Sequence, residues 1–250
     1  MAWSLATKQV GALCLFGMDG ASGRKPVGMI AIEWVKKYHG RASNLSNTQA
    51  QAEGFYNTLS GTRRFNWGDD LAWDQDFEEQ GVGSPGSGTD RTWVDSVDFV
   101  FFSGHGSTGG PLFGVTTDNG VAAPTEVRWG NQDLEWIALD ACNVLERDGV
   151  FDRWGWPVFR GLHYILGFHT TTGDESKRGR YLAENLNDGL PVREAWIRAC
   201  QETEGSDVEW AYLRADAPGT NTFADHWHGK GFVSADPTNP TTLFYLRGSC

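Results

Sequence analysis

Three short apolar runs constrain this chain most. FVFF lies within residues 97–102, WIAL within 134–140 and YILGF within 162–170. None alternates between apolar and polar residues, so each reads as a strand buried on both faces, the pattern of a parallel sheet covered on two sides. Residues 27–35 add a further strand and 63–73 a more irregular one. Helical segments separate and follow the strands: 47–59, with Asn47 as its cap, then 176–187 and 191–203. In the last of these, Val192, Ala195, Trp196, Ala199 and Cys200 form one apolar stripe, and Pro191 occupies the first-turn position that suits proline. The expectation is an α/β fold, a mostly parallel central sheet with helices on both faces, in a single domain over 1–250. From about 205 onward the sequence reads as a turn-rich extension, with a hairpin through TTLFYLRG. The Gly, Ser and Pro of 81–90 mark a surface loop.

Composition excludes several classes. The chain has 250 residues with 21 Lys and Arg against 32 Asp and Glu, a net charge of −11 and no long basic run. Phosphate neutralisation needs clustered cations, so a nucleic-acid partner is not expected. No apolar run approaches membrane-spanning length, and the N-terminus lacks the basic start of a signal peptide; no membrane association and a cytoplasmic location are expected. The four cysteines, Cys14, Cys142, Cys200 and Cys250, are irregularly spaced with no CxxC pair, so no metal or other cofactor is expected from them. Cys14 and Cys200 read as core residues and Cys250 as a mobile terminal one.

Two of the apolar runs end in chemistry. The first leads into SGHGS, Ser103 to Ser107, and the second into Asp140-Ala141-Cys142. Ligands in open parallel sheets bind beyond the carboxyl ends of the strands. If the two strands are neighbours, His105 and Cys142 emerge side by side. A thiol becomes a nucleophile as its thiolate, and an imidazole beside it takes up the proton. Gly104 and Gly106 let the backbone approach a substrate, and the amides of Gly106 and Cys142 are placed to receive an oxyanion.

An apolar strand running into a small pair and His-Gly, followed by a strand ending in Asp-Ala-Cys, resembles the caspase-like cysteine peptidases of clan CD. FFSGHGS and LDACNV are most similar to the metacaspase motifs. The resemblance implies a caspase-like three-layer sandwich, with His105 as general acid and base, Cys142 as nucleophile and Gly106 as an oxyanion donor. It implies that Asp140 lines the specificity pocket and favours Arg or Lys before the scissile bond. Ser103 and His169, at strand ends beside the dyad, are expected to contact substrate. The implied partner is a peptide, a protein or a peptide-like biosynthetic intermediate. Departures from the metacaspase pattern are Asn143-Val144-Leu145 after the cysteine and the Trp-rich 151–159.

Two other readings of the same residues stand beside endopeptidase activity. One is acyl transfer to an amine or hydroxyl, giving transpeptidation or macrocyclisation. The other is a non-catalytic caspase-like binding module. Elsewhere, Asp225, His226 and His228 lie within four residues and form a candidate metal cluster, against the simpler reading of a polar turn. His163 reads as structural.

Overall fold

The computed structural model describes residues 27–83, 88–115 and 119–250. Cys14, the N-terminal region and the middle of the 81–90 loop lie outside the described residues. Seven strands form the main sheet: β1 (Met29–Trp34), β2 (Thr62–Gly68), β3 (Phe99–Ser103), β6 (Trp136–Asp140), β7 (Tyr164–Phe168), β8 (Glu209–Asp216) and β9 (Thr242–Ser249). Two-residue strands β4 (Gly106–Ser107) and β5 (Gly110–Pro111) pair separately as a small antiparallel ribbon. The main sheet runs in the order β2-β1-β3-β6-β7-β8-β9. Its first four pairings are parallel, and β8 and β9 add antiparallel to one edge.

The three unalternating runs are the central strands, and every residue of β3, β6 and β7 is buried. The first strand is shorter than expected at both ends: Val27 before it is exposed, and Val35 after it is buried but outside the strand. β2 stops at Gly68, where Asp69 takes a left-handed turn at φ 48°. The Asp69 carboxylate accepts the backbone N–H groups of Lys36 and Lys37 at 2.7 and 2.9 Å, fastening the chain as it leaves β1.

Alternate residues of the sheet face two different layers. Ile30, Ile32, Phe99, Phe101, Trp136 and Ala138 pack under helices α1 (Thr48–Thr58), α3 (Arg178–Asn187) and α4 (Val192–Gln201). α4 buries the predicted stripe, Val192, Ala195, Trp196, Ala199 and Cys200. Val100, Phe102, Ile137, Leu139 and Ile165 face the other layer. Among the described residues that layer has one short α-helix, α2 (Val150–Trp154), with single 3-10 turns and irregular chain anchored by Phe77, Phe113, Trp129 and Trp154. Aromatic side chains supply large buried area without a helical period, so 69–83, 88–96, 112–115 and 119–135 cover the sheet as loops and single turns.

The segment beyond 205 belongs to the sheet. β8 is buried along most of its length, and the expected hairpin strand is β9, paired with it along all eight residues. Cys250 also packs against the α-helical layer. Among the described residues no helix is long and apolar enough to cross a membrane.

One register relation positions the candidate site. β3 and β6 pair residue for residue, Phe99 with Trp136 through to Ser103 with Asp140. His105 and Cys142 each follow two residues after that last pair.

Candidate active site

The chain crosses between the two strand ends through a hydrogen bond from Gly104 N–H to the Asp140 carbonyl, 3.2 Å. His105 is held from three sides. Its N–H donates to the Tyr38 hydroxyl at 2.6 Å, the buried Tyr38 ring lies 4.7 Å from the imidazole, and Nε2 is 2.9 Å from the Ser43 carbonyl. A carbonyl only accepts, so Nε2 carries a hydrogen and Nδ1 is left as the basic nitrogen of the neutral ring. Burial pushes the Tyr38 phenol well above its ordinary pKa, so it stays neutral beside the histidine.

Cys142 is half-buried and its Sγ lies against Thr172, accepting the Thr172 N–H at 3.4 Å and facing its carbonyl at 3.6 Å. Burial raises the thiol pKa, and the nearby Asp140 and Glu204 carboxylates add to this; the Thr172 N–H and Arg178 act the other way. The resting sulfur is a protonated thiol that needs a base. Gly106 packs against the backbone that carries it. A β-carbon at Gly106 would stand 2.7 Å from the Ala141 methyl and 2.8 Å from Val144, closer than carbon atoms approach. Only glycine brings these two loops together, with the Gly106 and Cys142 amides on adjacent chain.

His105, Cys142, Ser103 and Asp140 line one cavity of about 230 Å³, closed by Thr48 and Gln51 of α1 and by Thr171 to Asp174. His169 is not among its lining residues. β7 ends at Phe168, and the His169 ring turns to the Arg147 N–H at 3.0 Å and to Glu209 at 3.5 Å. On this side the cavity is lined by residues 171–174 instead.

Asp140 lines the cavity as expected, but its two oxygens have partners within the protein. Oδ1 receives Arg178 Nη1 at 2.5 Å and Oδ2 receives the Gln51 amide. Arg178 also pairs with Glu204, whose Oε1 accepts Thr172 Oγ1–H at 2.7 Å and Gly173 N–H at 2.9 Å. A buried chain of charge therefore runs from Asp140 through Arg178 and Glu204 to the loop that touches the Cys142 sulfur. Burial pushes the Asp140 carboxyl up to about 6, with Arg178 opposing the rise. Asp174 accepts the N–H groups of Ser46 and Asn47, closing the cavity at the start of α1.

Tyr38, Gln51, Thr172, Arg178 and Glu204 do not stand out in the sequence. Arg178 alone leaves a trace, because it falls at the head of the α3 stripe with Leu182, Asn185 and Leu186 at i+4, i+7 and i+8. The cluster Asp225, His226 and His228 does not converge. Asp225 holds buried His163 at 2.5 Å, while His228 turns to Asp98 and Glu135.

The fold and this cavity define an α/β protein with a cysteine and a histidine opening together at the carboxyl edge of a mostly parallel sheet. Residues 32–248 match the family described as Domain of unknown function (DUF6345), and the chain belongs to that family. No curated protein matches it.

Proposed function

We propose that this chain is a cysteine-dependent amide-bond hydrolase of the caspase-like kind, acting through Cys142 and His105. One observation carries the reading: both residues stand two positions past an in-register strand pair and open into the same cavity. His105 Nδ1 takes the Sγ proton as sulfur bonds to the substrate carbonyl carbon. The negative charge that forms on oxygen meets the Gly106 and Cys142 amides. As the C–N bond breaks, His105 returns the proton to the leaving amine. Water then attacks the thioester, gives its proton to His105, and the thiol is regenerated.

The acidity of the cavity supports a basic residue before the scissile bond. Asp140 and Asp174 line it and Glu204 lies behind, with Arg178 paired to Asp140 and Glu204. Asp140 contributes to this field while its oxygens stay bound to Arg178 and Gln51.

Acyloxymethyl ketone probes carrying Arg, Lys, Asp or Asn beside the warhead test both parts. Cys142→Ala abolishes labelling and lowers turnover by roughly 10⁴-fold or more, whereas Cys200→Ala keeps both. Labelling that survives in Cys142→Ala overturns the reading. Arg and Lys probes are expected to react fastest. Product mass separates hydrolysis, which adds water, from cyclisation, which removes it.

A further inference from the structure

The opposite edge of the sheet carries a second cluster. Asp98 immediately precedes β3 and Glu135 immediately precedes β6, so their side chains meet at the amino ends of the same two strands. His228 reaches them from the long connection between β8 and β9. Its Nε2 lies 3.3 Å from Asp98 Oδ1 and 3.3 Å from Glu135 Oε1. The three side chains are between 11 and 16% exposed, and their donor atoms all lie within 4.8 Å of one another.

Without an ion the three groups can pair as salt bridges, but the fit is loose. A protonated imidazole between two carboxylates closes to about 2.7–2.9 Å with its N–H aimed at oxygen. Here both contacts are longer, and Nε2 makes no hydrogen bond although it is shielded from solvent. Glu135 Oε2 is likewise buried without a hydrogen-bond partner. A zinc-like ion holds nitrogen and oxygen ligands at about 2.0–2.2 Å, which places neighbouring ligands about 3.3–3.5 Å apart in a tetrahedron. Both distances at His228 are compatible with the spacing of ligands around such an ion.

The surroundings hold the ligands in place. Asp98 Oδ2 accepts the Met29 N–H, leaving Oδ1 to face the cluster. The Asp98 carbonyl accepts the N–H groups of Glu135 and Trp136, both at 3.1 Å. The His228 ring is wedged against Trp136 and Trp227 at 5.3 and 5.5 Å. Such supporting contacts fix ligand orientation in metal sites.

We infer that Asp98, Glu135 and His228 bind a divalent first-row transition ion of the zinc class, with water completing the coordination. One imidazole and two carboxylates favour such an ion over calcium, which takes six to eight oxygens. The ion fastens the β8–β9 connection to the sheet at the end remote from Cys142.

Cobalt(II) titration of metal-stripped Cys142→Ala protein tests this, because that background removes the reactive thiol. One equivalent is expected to bind, with visible d–d absorption, no thiolate-to-metal charge-transfer band and a higher Tm. His228→Gln and the near-isosteric Glu135→Gln and Asp98→Asn each weaken binding by roughly tenfold or more. The absence of stoichiometric binding overturns the inference, as does a thiolate band or an affinity unchanged in the folded variants. If His228→Gln fails to fold, Glu135→Gln and Asp98→Asn decide.

Discussion

Cys142 carries the chemistry of the proposed function, yet its surroundings hold it protonated. Burial, Asp140 and Glu204 all favour the neutral thiol. Alkylation of the free protein by iodoacetamide is therefore expected to accelerate with pH to a midpoint above that of an ordinary cysteine. Glu204→Gln removes a charge that raises the pKa, so its midpoint shifts to lower pH; an unchanged or higher midpoint shows that Glu204 does not act on the thiol. His105 and Cys142 were legible because polar residues at the end of an all-apolar strand have few structural reasons to be there. Arg178 and Glu204 were not, since a charged residue on a helix or after one reads as solvent-facing until its buried partner is known. Asp140 was half legible: its place in the cavity follows from its position, but its engagement by Arg178 depends on a residue 38 positions away.

At the level of elements, the packing of α1 against α3 bounds the cavity. Gly179, at the start of α3, lies so near α1 that an added β-carbon would stand 2.2 Å from the Gln51 carbonyl oxygen. Gly179→Ala is expected to force the helices apart and cost about 1–3 kcal/mol, with a matching fall in Tm. It also displaces Gln51 from Asp140, so labelling of Cys142 should slow; an unchanged Tm sinks this account. The central strands and α4 follow from apolar pattern alone. β8 does not, because EWAYLRAD is punctuated by charge. Arg214 is nonetheless buried there, paired with Asp216 and Thr222 and lying 3.9 Å from the Phe244 ring centroid. The second layer escaped reading for the opposite reason: its aromatic anchors are spread over loops, with no repeat to betray a common surface.

For the whole molecule, the sheet grades from a doubly covered centre to an open edge. β3 and β6 are buried throughout, while β9 alternates between exposed and half-buried residues. Hydrogen exchange is expected to be slowest in β3 and β6 and markedly faster in β9. Equally slow exchange in β9 would mean that a partner covers that edge. The two residue clusters at opposite ends of β3 and β6 share one backbone ladder. That ladder acts as a ruler. His105 and Cys142 each stand two peptide units past the Ser103–Asp140 rung, so the register of the ladder sets where both chains leave the sheet, and Tyr38, Ser43 and Thr172 then fix the side chains. A single inserted residue within either strand would turn one partner to the other side of the sheet.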